Sequence, residues 1–150
     1  MKQFKTLFLV ALALIITSCS SSTNQPPPQP SAGANGGFTW RENDVATIFT
    51  AYSPTFSTQY KTLIAKNQAG ALLFEVNLAN STVGSYAINN TSNVVTYTGV
   101  SPFFVATSGT VIISASANGK MSGSFEAFRS GSVGTITRIY ATFVDVTIIP

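Results

Sequence analysis

The sequence predicts an all-β domain, either an antiparallel β-sandwich or a partly open β-barrel of about eight to ten strands. Short runs rich in β-branched and aromatic residues alternate in polarity and are broken by Gly, Asn and Ser clusters. No long segment shows the 3.6-residue period of a helix. The final stretch, 135–149, contains no turn signal and is largely apolar on both faces, which is typical of a strand that bends across two sheets or closes a barrel.

The strands follow one another with short connections, which favours antiparallel pairing because a parallel crossover needs about a dozen residues. Residues 58–65 form the most helix-tolerant stretch, and we treat them as part of a strand. The predicted strands are 38–42, 45–52, 58–66, 71–78, 84–88, 93–99, 103–106, 110–117, 120–128 and 135–148.

The dipeptide Asn118-Gly119 gives the strongest local signal. Asn-Gly between two alternating runs favours a two-residue type I′ hairpin, whose twist matches that of the strands. The hairpin predicts that residue 117 pairs with 120, 115 with 122, 113 with 124 and 112 with 125. In that register the expected core face carries Ile112, Met121, Phe125 and Ala127, while Val111 and Ile113 lie on the other face.

Residues 1–18 have the features of a signal peptide. Two lysines precede an unbroken apolar run of ten residues at 7–16 (LFLVALALII). A helix of that length spans about 15 Å, roughly half of a bilayer's hydrocarbon core, so the run indicates a leader and not a membrane span. Small residues then lead to Cys19, which resembles the lipobox of bacterial lipoproteins. The resemblance implies cleavage between Ser18 and Cys19 and acylation of Cys19, for example with palmitate; the alternative is an ordinary secretory signal with an incidental Cys.

Residues 19–37 predict a lipid-anchored tether that precedes a single domain at 38–150. The stretch 20–37 has no charge and no large apolar side chain, and its prolines and glycines favour an extended, unfolded spacer. At roughly 3 Å per residue it reaches about 50 Å. Ser20, rather than Asp, follows Cys19. By resemblance to lipoprotein sorting patterns this implies the outer membrane, and the lack of an acidic cluster favours its periplasmic face over the cell surface.

The inventory of reactive side chains excludes several chemistries. The chain has no His and one Cys, which excludes a Ser-His-Asp triad, a His-ligated metal site, an internal disulfide and a thiolate zinc cluster. No loop has the several acids that calcium needs. Removal of the leader takes away two lysines and leaves six basic and five acidic residues, a net charge of +1, so no basic patch suggests nucleic acid. We therefore expect no enzyme activity, cofactor or metal.

The densest charge cluster is the most visible candidate contact site. Arg41, Glu42 and Asp44 lie at a predicted strand end. The two carboxylates could act as a general acid and a general base, as such pairs do in glycosidases. A solvated turn with Arg41 as counter-ion is the simpler interpretation. Asp145 lies in a long apolar strand and, if buried, needs a partner such as Arg138 or Lys120.

Aromatic residues near the start of the domain are a second set of candidates. Trp40 is expected to be a core anchor, with a ligand or sugar platform as the sharper alternative. Tyr52 belongs to a further aromatic group with Phe56 and Tyr60. Together with the charges, the predicted ligand or partner contacts are Trp40, Arg41, Glu42 and Tyr52.

Several short phrases together resemble one known family. These are 38–40 (FTW), 84–88 (GSYAI), 109–114 (GTVIIS), 121–127 (MSGSFEA) and 143–146 (FVDV). Their order behind a lipoprotein signal resembles a family of small Bacteroidetes lipoproteins of unknown function. The chain departs from the family pattern at residues 41–44, where such proteins often carry a Gly. The resemblance implies an envelope β-domain and no functional residue beyond the lipidated Cys19.

These observations favour a membrane-anchored envelope lipoprotein that binds or scaffolds an envelope protein or glycan without catalysis. Two alternatives remain open: a small-ligand carrier with a lipocalin-like barrel cavity, and a surface glycan-binding module.

Overall fold

Ten β-strands form the domain, which is described by a computed structural model covering residues 37–132 and 135–150. The strands are β1 (Gly37–Glu42), β2 (Phe49–Ser57), β3 (Thr62–Lys66), β4 (Leu72–Asn77), β5 (Gly84–Ala87), β6 (Val94–Tyr97), β7 (Phe104–Val105), β8 (Ser108–Ala117), β9 (Lys120–Phe128) and β10 (Arg138–Ile149).

The strands make one curled sheet in the order β5-β8-β9-β10-β1-β2-β3-β4-β6-β7. Neighbours in this order pair antiparallel, and the sheet forms a half-barrel. The predicted all-β class is confirmed, in its partly open barrel form. One short parallel pairing, between 147–149 of β10 and 55–57 of β2, lies outside the antiparallel rule.

Two of the predicted strands, 45–52 and 58–66, are placed wrongly. The predicted strands leave residues 53–57 unassigned, but β2 runs from residue 49 through Ser53-Pro54 to residue 57, and the turn falls at 58–61. Ser53 adopts a positive φ of 47°, and the β2–β3 register shifts between Tyr52 and Thr55. A bulge therefore lets the strand continue past a residue that cannot donate to the ladder.

The β8–β9 hairpin is correct at its turn and wrong beyond it. Asn118 and Gly119 both have positive φ, as a type I′ turn requires, and residues 117 and 115 pair with 120 and 122 as predicted. A bulge at Ser114 then moves the register by one residue. Because side chains alternate faces, the shift exchanges the faces of β8. Val111 and Ile113 are buried with Phe125, whereas Ile112, assigned to the core, is exposed.

The core lies on the concave face of the sheet and is dominated by aromatic rings. Phe38 of β1 lies 4.8 Å from Phe74 of β4 and 6.0 Å from Phe125 of β9, between ring centroids. Phe74 and Phe125 lie 5.9 Å apart although five strand spacings separate β4 from β9 in the sheet. The sheet therefore curls far enough for its two halves to pack against each other across this face.

Strand β1 occupies the centre of the sheet, between β10 and β2. Both flanking strands are bulged near its first residue, Gly37: β2 at Ser53 and β10 at Asp145, which also has a positive φ, of 51°. Beyond Gly37 these two strands meet in the parallel pairing. The predicted bend in the last strand is thus a bulge at Asp145, after which β10 reaches across to a second neighbour.

Residues 106 and 107 connect the two halves of the sheet. The Ala106 N–H donates to Val95 O of β6, and the next N–H, of Thr107, donates to Phe128 O of β9. This two-residue connection thereby links strands from opposite halves of the sheet order.

Candidate functional site

Three of the four predicted contact residues, Trp40, Arg41 and Glu42, lie at the end of β1, and their side chains face two different sides of the sheet. Side chains alternate along a strand, so Trp40 and Glu42 face the core side and Arg41 the opposite side. Arg41 is only 7% exposed. The expectation of a solvated turn with Arg41 as the counter-ion is therefore wrong, because β1 is covered on both faces and its consecutive charges cannot meet.

Glu42 is held by two donors from the aromatic core. Its Oε1 accepts a hydrogen bond of 2.8 Å from the Tyr97 hydroxyl and one of 3.2 Å from Trp40 Nε1. The ring of Trp40 also packs edge-on against Tyr97, with 5.7 Å between centroids. Trp40 is 4% exposed, which confirms its role as a core anchor and leaves no open face for a sugar.

Tyr97 stays protonated in this environment. Burial, then the hydrogen bond to Glu42 and its negative charge, raise the pKa of the Tyr97 hydroxyl far above its ordinary value, with a smaller opposing effect from Trp40. A phenol that holds its proton this firmly serves as a donor to the carboxylate. Nothing in the sequence indicated this partner, which is 55 residues away along the chain.

Arg41 lies beside a second tyrosine on the opposite side of the sheet. It is paired in register with Tyr140 of β10, and its Cζ lies 5.5 Å from the centroid of that ring. Tyr140 is fully buried but outside the main core cluster. Arg41 Nε, Arg41 Nη2 and the Tyr140 hydroxyl are buried without a hydrogen-bond partner.

Arg138 also lies against the Tyr140 ring and contacts two carboxylates. Its Cζ lies 4.0 Å from the Tyr140 centroid. Its Nε donates to Glu126 Oε1 at 2.9 Å, and its Nη1 lies 3.3 Å from Asp44 Oδ1. Arg138 does not pair with Asp145, which is exposed and so does not meet the condition under which a partner was expected. Asp44 faces Arg138 rather than forming a pair with Glu42.

Asn43 fixes this arrangement and was not singled out by sequence reasoning. Its Oδ1 accepts from the N–H groups of Thr137 and Arg138, at 2.9 and 3.2 Å, and its Nδ2 donates to Thr135 O. Its φ is 53°, a conformation that Asn tolerates better than most residues. The side chain anchors the segment before β10 and so helps to position Arg138.

The remaining predicted residues lie apart from these clusters. Tyr52 is 47% exposed and paired in register with Lys66, away from the end of β1. Asp145 is exposed in its bulge, where its N–H donates to Ser122 Oγ at 3.0 Å. Its other proposed partner, Lys120, instead donates to Thr147 Oγ1. Ser18 and Cys19 lie outside the described residues.

A groove of about 390 Å³ lies on the surface formed by the end of β2, β3, β4 and the turn before β3. Tyr60, 71% exposed, stands at its edge. Along its floor Thr62 Oγ1 donates to Asn77 Oδ1 at 2.7 Å, and Asn77 Nδ2 donates to Glu75 Oε1 at 2.9 Å. Sequence reasoning grouped Tyr60 with Tyr52, but the two lie in different surroundings.

These features define an all-β half-barrel domain with a half-buried carboxylate–phenol contact and a buried arginine at its central strand. Across residues 37–132 and 135–150, no group of three or more His, Cys, Asp or Glu side chains is placed to bind a metal ion. The same residues include no helix long and apolar enough to cross a membrane.

No family model, curated protein or solved structure matches the chain. The resemblance to small Bacteroidetes lipoproteins therefore stays a prediction.

Proposed function

We propose that this protein is a membrane-anchored envelope lipoprotein whose half-barrel domain is a non-catalytic binding or scaffolding module. In this proposal Cys19 carries the lipid, the neutral tether spans about 50 Å, and the domain acts at the periplasmic face of the outer membrane. The partner is an envelope protein or glycan.

The observation that carries the proposal is the point at which the tether joins the domain. The tether ends at Gly37, the first residue of β1, and β1 is paired with β10 on one side and β2 on the other. A force transmitted along the tether therefore acts on the central strand, which is held on both sides along the strand direction. That attachment suits a module that must stay folded while its partner is held at a distance from the bilayer.

The interior of the domain gives less support to the ligand-carrier alternative. A lipocalin-like carrier needs an empty space between its strands. Here the rings of Phe38, Phe74, Phe125 and Tyr97 occupy the concave side, with Phe74 and Tyr97 stacked at 4.6 Å. Binding at the outer surface is the arrangement that this packing favours.

The anchor is tested by following acylation and location together. The full chain is expressed in a Gram-negative host fed with an alkyne analogue of palmitate, beside Cys19→Ala and the neighbouring control Ser20→Ala. We expect label and membrane association in the wild type and Ser20→Ala but not in Cys19→Ala. An unlabelled wild type, or label that persists in Cys19→Ala, would contradict the proposal.

Membrane face and partner need separate measurements. A periplasmic domain is protected from protease added to intact cells and is degraded once the outer membrane is permeabilised; degradation in intact cells would place it on the surface. Crosslinking in intact cells is expected to recover one specific envelope partner. Recovery of the monomer alone would count against a scaffolding role.

A second candidate function, glycan binding, is favoured by the groove beside Tyr60. An exposed aromatic ring next to amide and carboxylate groups is suited to stack on a sugar and to hydrogen-bond its hydroxyls. The full chain is passed over immobilised envelope polysaccharides together with Tyr60→Ala and the matched control Tyr52→Ala, which removes another exposed tyrosine outside the groove. The function is supported if the wild type and Tyr52→Ala are retained and Tyr60→Ala is not. It is contradicted if the wild type and Tyr52→Ala both fail to be retained.

A further inference from the structure

Three buried hydrogen-bonding groups without partners meet beside the central strand. Nε and Nη2 of Arg41 and the hydroxyl of Tyr140 are buried and have no hydrogen-bond partner. The two residues face each other in register on β1 and β10. A buried guanidinium strongly favours a counter-charge, because burial deprives it of water without replacing the lost hydrogen bonds.

The two free nitrogens of Arg41 have a useful geometry. Nε–H and one N–H of Nη2 point from the same edge of the planar guanidinium and run nearly parallel. Such a fork matches two oxygens of a carboxylate, phosphate or sulfate group and binds them bidentately. The Tyr140 ring centroid lies 5.5 Å from Arg41 Cζ, and its unpartnered hydroxyl is a further donor for the same group.

The domain's own carboxylates are engaged elsewhere or out of reach. Glu42 faces the other side of β1, Glu126 and Asp44 contact Arg138, and Glu75 lies in the β4 groove. Asp145 lies five residues from Tyr140 along β10, about 17 Å at the rise of a strand. Nε and Nη2 of Arg41 therefore have no hydrogen-bond acceptor within the described residues, and residues 20–36 contain no acid that could supply one.

We propose that Arg41 and Tyr140 form a binding site for a small oxyanion. The Arg41 fork binds two of its oxygens, and the Tyr140 hydroxyl donates to one of them. The site is too buried for a flat macromolecular contact, so the ligand is a small anion or a single protruding carboxylate or phosphate group. Residues 44–48 follow β1 directly and are exposed, and the Val45 N–H bonds to Glu42 O at 3.4 Å. Local opening there is the simplest route of entry.

The site is tested with inorganic phosphate, sulfate and acetate, each titrated at constant ionic strength against chloride. The full chain is purified in detergent, and unfolding is followed by the fluorescence of its one tryptophan, Trp40. The variants are Arg41→Met, Arg41→Lys and Tyr140→Phe. The matched control is Arg129→Met, since Arg129 also lies over a ring but already donates to Ile136 O and Phe103 O at 2.7 Å.

We expect a saturable rise in the unfolding midpoint, about 5 °C with the anion at ten times its Kd, in the wild type and Arg129→Met. Arg41→Met should abolish the rise, Arg41→Lys should remove most of it because lysine lacks the fork, and Tyr140→Phe should reduce it. A response to phosphate and sulfate but not acetate indicates a tetrahedral ligand, and a response to acetate indicates a carboxylate. Equal responses in the wild type and Arg41→Met would overturn the proposal, because they would reflect general salting-out.

A direct readout keeps the proposal testable if Arg41→Met fails to fold. In the wild-type protein the Nε–H resonance of Arg41 is followed by NMR during the same titrations. A saturable shift of this resonance, with the Arg129 Nε–H unchanged, supports the site. An Arg41 resonance that does not move with any of the three anions overturns it.

Discussion

Removal of a single hydroxyl tests the Glu42–Tyr97 contact. Tyr97→Phe deletes the 2.8 Å donor to Glu42 and keeps the ring that stacks on Phe74. A hydrogen bond to a charged group contributes about 1.5–3 kcal/mol to stability. Glu42 is half-buried and keeps its 3.2 Å contact with Trp40 Nε1, so part of the loss is recovered through that donor and water. At pH 7 we expect Tyr97→Phe to lower the free energy of unfolding by about 1–2 kcal/mol.

The difference between the two proteins should shrink at high pH. In the unfolded chain Tyr97 loses its proton near pH 10, whereas its raised pKa in the folded state retains it. Above pH 10 the folded state therefore binds more protons than the unfolded state, and the wild type loses at most ~1.4 kcal/mol of stability per pH unit from this group. The contribution is intact below pH 10. Since Tyr97→Phe has no such group, we expect the two stabilities to converge near pH 11.

Urea unfolding curves at pH 7, 9, 10 and 11 provide the measurement. Tyr60→Phe is the control because its ring is 71% exposed, and we expect it to follow the wild type within about 0.5 kcal/mol at every pH. All three proteins have the same lysines, so the comparison isolates the substituted tyrosine. A constant gap between the wild type and Tyr97→Phe from pH 7 to 11, or no gap at pH 7, would refute the assigned hydrogen bond and its effect on the pKa of Tyr97.

Three further substitutions, two of them with a matched control, test the packing and the ion pairs by urea unfolding. Gly123→Ala places a Cβ 2.1 Å from a backbone oxygen of β8 and should lower the free energy of unfolding by more than about 2 kcal/mol. In its control, Gly119→Ala, the new Cβ meets no atom within 4 Å, and we expect a loss of only about 1 kcal/mol because of the positive φ. Equal losses would contradict the close approach of β8 and β9. Phe74→Ala should cost about 3–5 kcal/mol and the exposed Phe103→Ala under about 0.5 kcal/mol, and a small effect at Phe74 would contradict a core closed by rings. Arg138→Met should cost about 1 kcal/mol because both of its ion pairs are partly exposed, and the cost should fall in 1 M salt; insensitivity to salt would contradict an ionic origin.

The β8–β9 hairpin separates what the sequence could predict from what it could not. Two residues that tolerate positive φ fixed the type of turn, so pairing next to Asn118-Gly119 followed from local chemistry. The bulge at Ser114 has no local signature of that kind, because its neighbours are small residues that fit either face. What selects it is the burial of Val111 and Ile113 against β9, a contact that depends on the finished sheet.

The bulges at Ser53 and Asp145 could not be predicted from the sequence, for a related reason. Ser53-Pro54 looks like a turn in the sequence, and Asp145 looks like a polar residue that needs a partner. In the folded domain both adopt positive φ beside the first residue of β1, where β2 and β10 converge. Both conformations depend on where β1 begins between β2 and β10. The residues next to Ser53 or Asp145 in the sequence do not indicate that position.

The charges at the end of β1 show how the candidate site depends on the same long-range arrangement. Alternation alone predicts that Arg41 and Glu42 face opposite sides of a strand, which argues against their pairing even from the sequence. Alternation does not predict that both sides are covered. The coverage follows from the central position of β1, which places Glu42 against the Tyr97 hydroxyl of β6 and Arg41 against the Tyr140 ring of β10. Glu42 therefore finds its hydrogen-bond donors within the fold, whereas two nitrogens of Arg41 find no acceptor there. For this reason we expect an external ligand at Arg41 and not at the carboxylate pair of Glu42 and Asp44.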